Sequence, residues 1–224
     1  NKAEYDKALE YYQKSLAIWL KQLGPDHPDV ATSYNNIGLV YDNKAEYDKA
    51  LEYYQKSLAI YLKQLGPDHP DVAISYNNIG QVHSAKAEYD KALEYYQKDL
   101  AISLKQLGPD HPDVAISYNN IGQVHSAKAE YDKALEYYQK DLAISLKQLG
   151  PDHPDVAISY NNIGNVHNAK GEYDHALEYY QKSLAISLKQ LGPDHPDVAT
   201  SYNNIGLVHN KKGEYDKALE YYQK

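Results

Sequence analysis

The nonapeptide LGPDHPDVA recurs five times, beginning at Leu23, Leu65, Leu107, Leu149 and Leu191, always 42 residues apart. This fixed period constrains the fold more than any other property of the chain. A unit of that size is one supersecondary element, too small to bury an apolar face alone, so neighbouring units must supply the core by stacking. Residues 67–108 and 109–150 are identical at every position, which implies recent duplication or deliberate design.

Within the unit 67–108, two amphipathic patterns stand between turn signals. Gly66 suits a left-handed cap past a helix end, and Pro67 cannot continue a helix. His69, preceding a proline, is pushed out of the α region and into a cap position. Pro70 fits the first helical position, and Asp71 faces the positive end of the helix dipole. Helix A is predicted from Pro70 to about Lys86, with Val72, Tyr76, Ile79, Gly80 and His83 on one stripe. After a break near Ala87, helix B runs from about Glu88 to Leu107, with Tyr89, Ala92, Leu93, Tyr96, Leu100 and Leu104 repeating the spacing. Short connections make the two helices antiparallel neighbours. Tyr53, beside the core position Tyr54, is expected at the helix edge, packed on the next unit.

These residues carry a family resemblance. Tyr34-x-x-Ile37-Gly38-x-x-Tyr41, followed by Ala50-x-x-x-Tyr54, resembles the tetratricopeptide repeat pattern, with Tyr standing for its Trp and Phe. The pattern recurs in every unit. The unit is longer than the usual repeat, and "LG-x-DHPDVA…NN-[IL]" resembles the long repeats of kinesin light chains. The resemblance implies an all-α, right-handed superhelical solenoid of antiparallel helix pairs whose A helices line the concave face. It also implies a cytoplasmic protein that binds peptides in that groove. The expected organisation is a single solenoid segment over 1–224: helix B of a partial repeat at 1–24, full repeats at 25–66, 67–108, 109–150 and 151–192, and a truncated repeat at 193–224. Neither end shows a capping helix, so end-to-end self-association through apolar termini is expected.

Four sets of residues invite a chemical reading. The Asp-His-Pro-Asp loops offer one histidine each. Loops a full helix pair apart, about 20 Å at roughly 8–10 Å per helix, cannot share an ion, so they read as caps. His83, His125, His167 and His209 occupy the buried slot held by Tyr41 in the first unit. They read as core histidines bonded to backbone or to the neighbouring helix, with acid destabilisation expected from their burial. The asparagine pairs Asn35/Asn36, Asn77/Asn78, Asn119/Asn120, Asn161/Asn162 and Asn203/Asn204 are poor helix formers maintained in every unit. With Gln81, Gln123 and Asn165 they fall on the arc opposite the core stripe. An amide offers donors and an acceptor matching a peptide backbone, so these thirteen positions are the candidate groove residues. The other reading has them bridging one A helix to the next, and one member of each pair suits each job. Finally, Trp19 and Tyr61 become Ser103, Ser145 and Ser187, which reads as extra aromatic surface on the early B helices.

Composition removes several function classes. Cysteine is absent, so there is no thiolate nucleophile or Cys-ligated zinc. Net charge is −8 and no basic groove is visible, which argues against nucleic acid and anionic membrane. No Ser-His-Asp set, paired carboxylates on an apolar face or phosphate loop is present, so no catalytic residue, metal site or cofactor is expected. The leading reading is a non-enzymatic scaffold for a protein or peptide. The alternatives are an array stacking into rods and a consensus-like design without a natural ligand.

Overall fold

The computed structural model describes the backbone of residues 2–224 and the side chains from Glu4 onward. Among the described residues every regular element is a helix: α1 (Lys2–Leu23), α2 (Pro28–Asn43), α3 (Tyr47–Leu65), α4 (Pro70–Ala85), α5 (Tyr89–Leu107), α6 (Pro112–Ala127), α7 (Tyr131–Leu149), α8 (Pro154–Ala169), α9 (Tyr173–Leu191), α10 (Pro196–Lys211) and α11 (Tyr215–Tyr222). The even-numbered helices are the A helices. Two compact units are formed, Asn1–Gly108 and Pro109–Lys224. Within each, a helix packs chiefly on its two neighbours in the chain.

Local chemistry sets the helix boundaries. His69 is the N-cap of α4, with extended φ −77° and ψ 143°, and its Nδ1 accepts a hydrogen bond from the Asp71 amide at 3.2 Å. His27, His111, His153 and His195 do the same for the other A helices. The Asp-His-Pro-Asp loop is thus a capping device: ring acceptor, proline at the first position, carboxylate in the first turn.

The left-handed cap lies elsewhere than expected. Gly66 has the positive φ of 86° that favours glycine, but its ψ of 167° ends α3 without closing a left-handed α turn. The left-handed residue follows helix A instead. Ala87 has φ 57°, its amide bonds to Ser84 O at 2.9 Å, and the Glu88 amide reaches back to His83 O at 2.8 Å. That pair of bonds is a Schellman motif with alanine at C′. Its bonds offset the roughly 1–2 kcal/mol that a side chain costs there. Gly171 and Gly213 occupy the equivalent position in later units and remove that cost.

The core forms where a B helix meets the next A helix. Ala50 and Tyr54 of α3 cluster with Ile79 and Val82 of α4. Ala134 and Tyr138 of α7 cluster with Ile163 and Val166 of α8, and Ala176 and Tyr180 of α9 with Val198, Ile205 and Val208 of α10. Each buried side chain of this size contributes about 1.5–3 kcal/mol, against about 0–1 for an exposed ion pair such as Lys147–Asp110. Stacking therefore rests on the apolar seams.

Inside each hairpin, a glycine of helix A lies under a tyrosine of helix B. A Cβ on Gly164 would stand 2.8 Å from the Tyr180 ring, closer than van der Waals contact allows. Tyr53 corrects its expected position: it stacks on Tyr41 of its own hairpin, centroids 5.5 Å apart, rather than on the next unit.

Gly164→Ala should lower stability by up to about 2 kcal/mol. Overpacking against a fully buried ring costs about 1–3 kcal/mol, which offsets or exceeds the roughly 1 kcal/mol that alanine gains in helix propensity. Urea unfolding checks this; a stabilised variant would show that the hairpin is looser than its geometry.

Candidate functional site

The asparagine pairs lie along the seam between successive A helices. The Asn78 Nδ2 donates to Asn35 Oδ1 at 2.9 Å, Asn162 to Asn119 at 2.9 Å and Asn204 to Asn161 at 3.0 Å. In each bridge the second asparagine of one unit is the donor and the first asparagine of the preceding unit the acceptor. Each such bond is worth about 1 kcal/mol net. Asn36 and Asn77 are partly buried, Asn120 is buried and Asn203 is exposed. Gln81, Gln123 and Asn165 stand exposed beyond the seam. Asn165 Oδ1 accepts from the Tyr180 hydroxyl at 2.7 Å.

Beside this seam the unit Pro109–Lys224 carries two clefts. One, of about 240 Å³, lies between α6, α7 and α8, with Ile116, Ile144, Leu149 and Ile158 as apolar walls and Asp141 and Ser145 among its polar lining. Asn119 also lines it. The other, of about 230 Å³, repeats the arrangement between α8, α9 and α10, with Ser187 in place of Ser145. Ile116 and Ile158 are 54% and 55% exposed, an unusual position for isoleucine.

The unit Asn1–Gly108 shows how such a cleft is filled. Tyr61, at the position of Ser145 and Ser187, is buried in the cluster that joins α2 to α4, and its hydroxyl meets Thr32 Oγ1 at 2.8 Å. The expectation of extra aromatic surface is therefore corrected for Tyr61, which is a plug between helices. Trp19 on α1 is 37% exposed.

A family model described as tetratricopeptide repeat matches residues 2–63, 43–105, 86–147, 130–189 and 155–224, spanning nearly the whole chain. The chain is a tetratricopeptide repeat protein. No curated protein sequence matches it significantly. Among solved structures it is similar to BtubC (BKLC) from P. vanneervenii, at 21% identity and TM-score 0.79, covering 98% of this chain and 85% of that one. It is similar also to a Podosopora anserina putative kinesin light chain with nearly identical TPR-like repeats, at 24% identity and TM-score 0.75, covering 88% and 93%. The MamA protein aligns at 23% identity and TM-score 0.58, covering 86% and 88%. These likenesses establish a fold of stacked helix pairs. No helix among the described residues is long and apolar enough to cross a membrane.

Two features of these tetratricopeptide repeats were hidden in the sequence. The first is the environment of the helix A histidines. Of the two partners expected, backbone or the neighbouring helix, each Nδ1 takes the second: it meets the glutamate carboxylate that caps the start of helix B. His83 meets Glu88 Oε2 at 2.7 Å and His125 meets Glu130 Oε2 at 2.8 Å, each ring stacking on a tyrosine of helix B. Hydrogen bonds from Lys91 and then His83 hold the Glu88 carboxyl down to about 2, and Lys133 with His125 does the same for Glu130. A depressed carboxyl stabilises the fold above its unfolded value of 4.5 and loses that contribution only as pH falls toward about 2. The Glu88 and Glu130 carboxylates therefore keep their contribution at pH 5.5. Residues 167, 172 and 175 vary this arrangement: His167 Nδ1 meets Glu172 Oε2 at 2.6 Å, and His175 stands where other units have lysine. The three could hold a metal ion. Sequence reading overlooked His175, although the exchange is visible by aligning the units.

The second feature is Asp141, at the position of Ser57 and Ser183. It is 6% exposed, its Oδ2 accepts from Ser159 Oγ at 2.7 Å and its Oδ1 from Ser145 Oγ at 3.2 Å. Burial pushes its carboxyl up to about 6, outweighing the two hydroxyls, with Asp155 adding repulsion. A carboxyl raised in the folded state costs stability once pH exceeds its unfolded value, so stability should rise as pH falls from 7.5 to 5.5.

Asp141→Asn should raise stability at pH 7.5 by about 2–3 kcal/mol, and the gain should shrink to a fraction of that by pH 4.5. Chemical unfolding across this pH range is the check. A loss at pH 7.5, or a gain independent of pH, would contradict a buried ionised carboxylate.

Proposed function

We propose that the chain is a non-enzymatic, cytoplasmic scaffold that receives a peptide along the exposed face of its A helices, with peptide side chains entering the clefts beside the asparagine seam. The observation that carries this reading is the exchange of the plug Tyr61 for Ser145 and Ser187. It opens clefts of about 240 and 230 Å³ walled by exposed isoleucine and leucine. Cavities of this kind, apolar with a few convergent polar groups, are the usual form of a binding site. Asp141 in one cleft and Ser183 in the other favour a side chain with an apolar stem and a hydrogen-bond donor at its tip. Tyr61, ring packed and hydroxyl on Thr32, is the chain's own example of such an occupant. Asn119 and Asn161 each line a cleft while accepting a seam bond, and their remaining amide hydrogens suit a peptide carbonyl. Gln81, Gln123 and Asn165 extend the polar strip; Asn35, Asn36, Asn77, Asn78, Asn120, Asn162, Asn203 and Asn204 support it. Tetratricopeptide repeats generally mediate protein–protein interaction, which agrees with this use.

A second reading is favoured by a different observation. α1 exposes Tyr11, Ile18 and Trp19, and α11 exposes Tyr215, Leu219 and Tyr222. Apolar patches of this kind on the two terminal helices suit head-to-tail self-association. Sedimentation velocity at rising concentration separates the two: association without peptide supports the second reading.

Peptide selection from a random library, followed by titration, tests the first. Ser145→Tyr with Ser187→Tyr should refill both clefts and weaken a selected peptide at least tenfold, with helicity and melting unchanged or improved. Undiminished binding would place the peptide elsewhere.

A further inference from the structure

Four B helices, α3, α5, α7 and α11, each place a lysine on the glutamate that caps the helix start. Lys49 meets Glu46 Oε2 at 2.7 Å, Lys91 meets Glu88 Oε2 at 3.1 Å, Lys133 meets Glu130 Oε2 at 3.0 Å and Lys217 meets Glu214 Oε2 at 3.2 Å. In the last three, the same oxygen also faces the Nδ1 of a helix A histidine. Helix α9 carries His175 in place of that lysine. A fixed ammonium is removed and an imidazole is put in its place, beside a carboxylate oxygen that already faces another imidazole.

We propose that His167, Glu172 and His175 form a binding site for one divalent transition ion of the zinc class. Their ligand atoms all lie within 4.8 Å of one another. The His167 and His175 ring centroids are 5.3 Å apart. A tetrahedral ion with bonds near 2.0–2.2 Å sets its ligands roughly 3.3 Å apart. His175, in the first turn of α9 and exposed, would close on the pair by a side-chain rotation, while His167 Nδ1 and Glu172 Oε2, now 2.6 Å apart, would part by about 0.7 Å to seat the ion between them.

The surroundings hold two ligands in place. The His167 ring stacks on Tyr179 at 5.4 Å, 8° from parallel. Lys170 Nζ binds Glu172 Oε1 at 3.1 Å and Asp132 Oδ1 at 2.9 Å, which anchors the carboxylate and leaves Oε2 for the ion. Such outer partners raise metal affinity by fixing ligand orientation. Two imidazoles and one carboxylate suit zinc, nickel or copper and are a poor set for magnesium or calcium. Three protein ligands leave a fourth position for water or for a donor group brought by another molecule. The site is independent of the peptide clefts and of the function proposed for them.

The test uses the chain in metal-free buffer, titrated with zinc chloride against a chromogenic chelator. His175→Lys is the matched control, since it restores the residue of the other units and retains every other histidine of the chain. The wild type should bind one zinc ion per chain, His175→Lys should bind it roughly a hundredfold or more weakly, and zinc should raise the melting temperature of the wild type alone. Millimolar magnesium should not displace the ion. Equal zinc affinity in both proteins, or no zinc bound by the wild type, would overturn the proposal.

Discussion

The structure depends on one packing constraint: a helix B cannot cover its own apolar stripe. Its hairpin partner covers one side, where a tyrosine ring lies on a bare glycine, as Tyr138 does on Gly122. The other side is covered by the following unit, whose A-helix residues Ile163 and Val166 close on Tyr138 and Ala134, with Tyr179 of its helix B packed beside them. Because the glycine admits the ring, the two helices approach closely; because the ring fills that gap, the stripe beyond it stays open to the next hairpin. Ion pairs such as Lys170–Asp132 span the same junction on the surface, where charges are solvated and worth little.

This constraint leaves the exposed arc of the A helices free to vary. Seam asparagines hold the spacing of successive A helices while the residues around them change. At the position of Tyr61 the chain either plugs the junction or, with serine, leaves a cleft. At the position of Ser57 it carries serine or a buried aspartate whose ionisation is suppressed by its surroundings. At the position of Lys133 it carries lysine or His175. Each exchange leaves the seam of Ala134, Tyr138, Ile163 and Val166 and its equivalents in place, so chemistry can be added one unit at a time, at a cost in stability where it buries a carboxylate such as Asp141.

Much of the fold was legible in the sequence because its cause is periodic. Val72, Ile79 and Tyr96 recur at helical spacing, and Gly80 in mid-helix needed a packing reason, which Tyr96 provides. Pro70 and His69 announced the helix start. What sequence could not show was direction and partnership across space. Tyr53 had two faces to choose from and took its own hairpin. The left-handed cap settled on Ala87, against its residue preference, because Glu88 and His83 complete the hydrogen bonds that stabilise it. The asparagines had two plausible jobs, and the seam bonds between Asn78 and Asn35 depend on a distance between units that no single helix encodes. The cleft was equally hidden: a serine in place of tyrosine reads as lost surface until the helices on both sides are known.

If stacking across junctions is the source of stability, removing one unit should weaken those that remain. Deleting residues 151–192 joins Gly150 to Pro193 and preserves the LGPDHP junction, so the shortened chain keeps every local signal. The decisive measurement is its urea unfolding beside the full chain. Stacked hairpins should unfold at a lower midpoint with a smaller dependence on denaturant. An unchanged midpoint, with only the signal amplitude reduced, would mean that each hairpin stands alone.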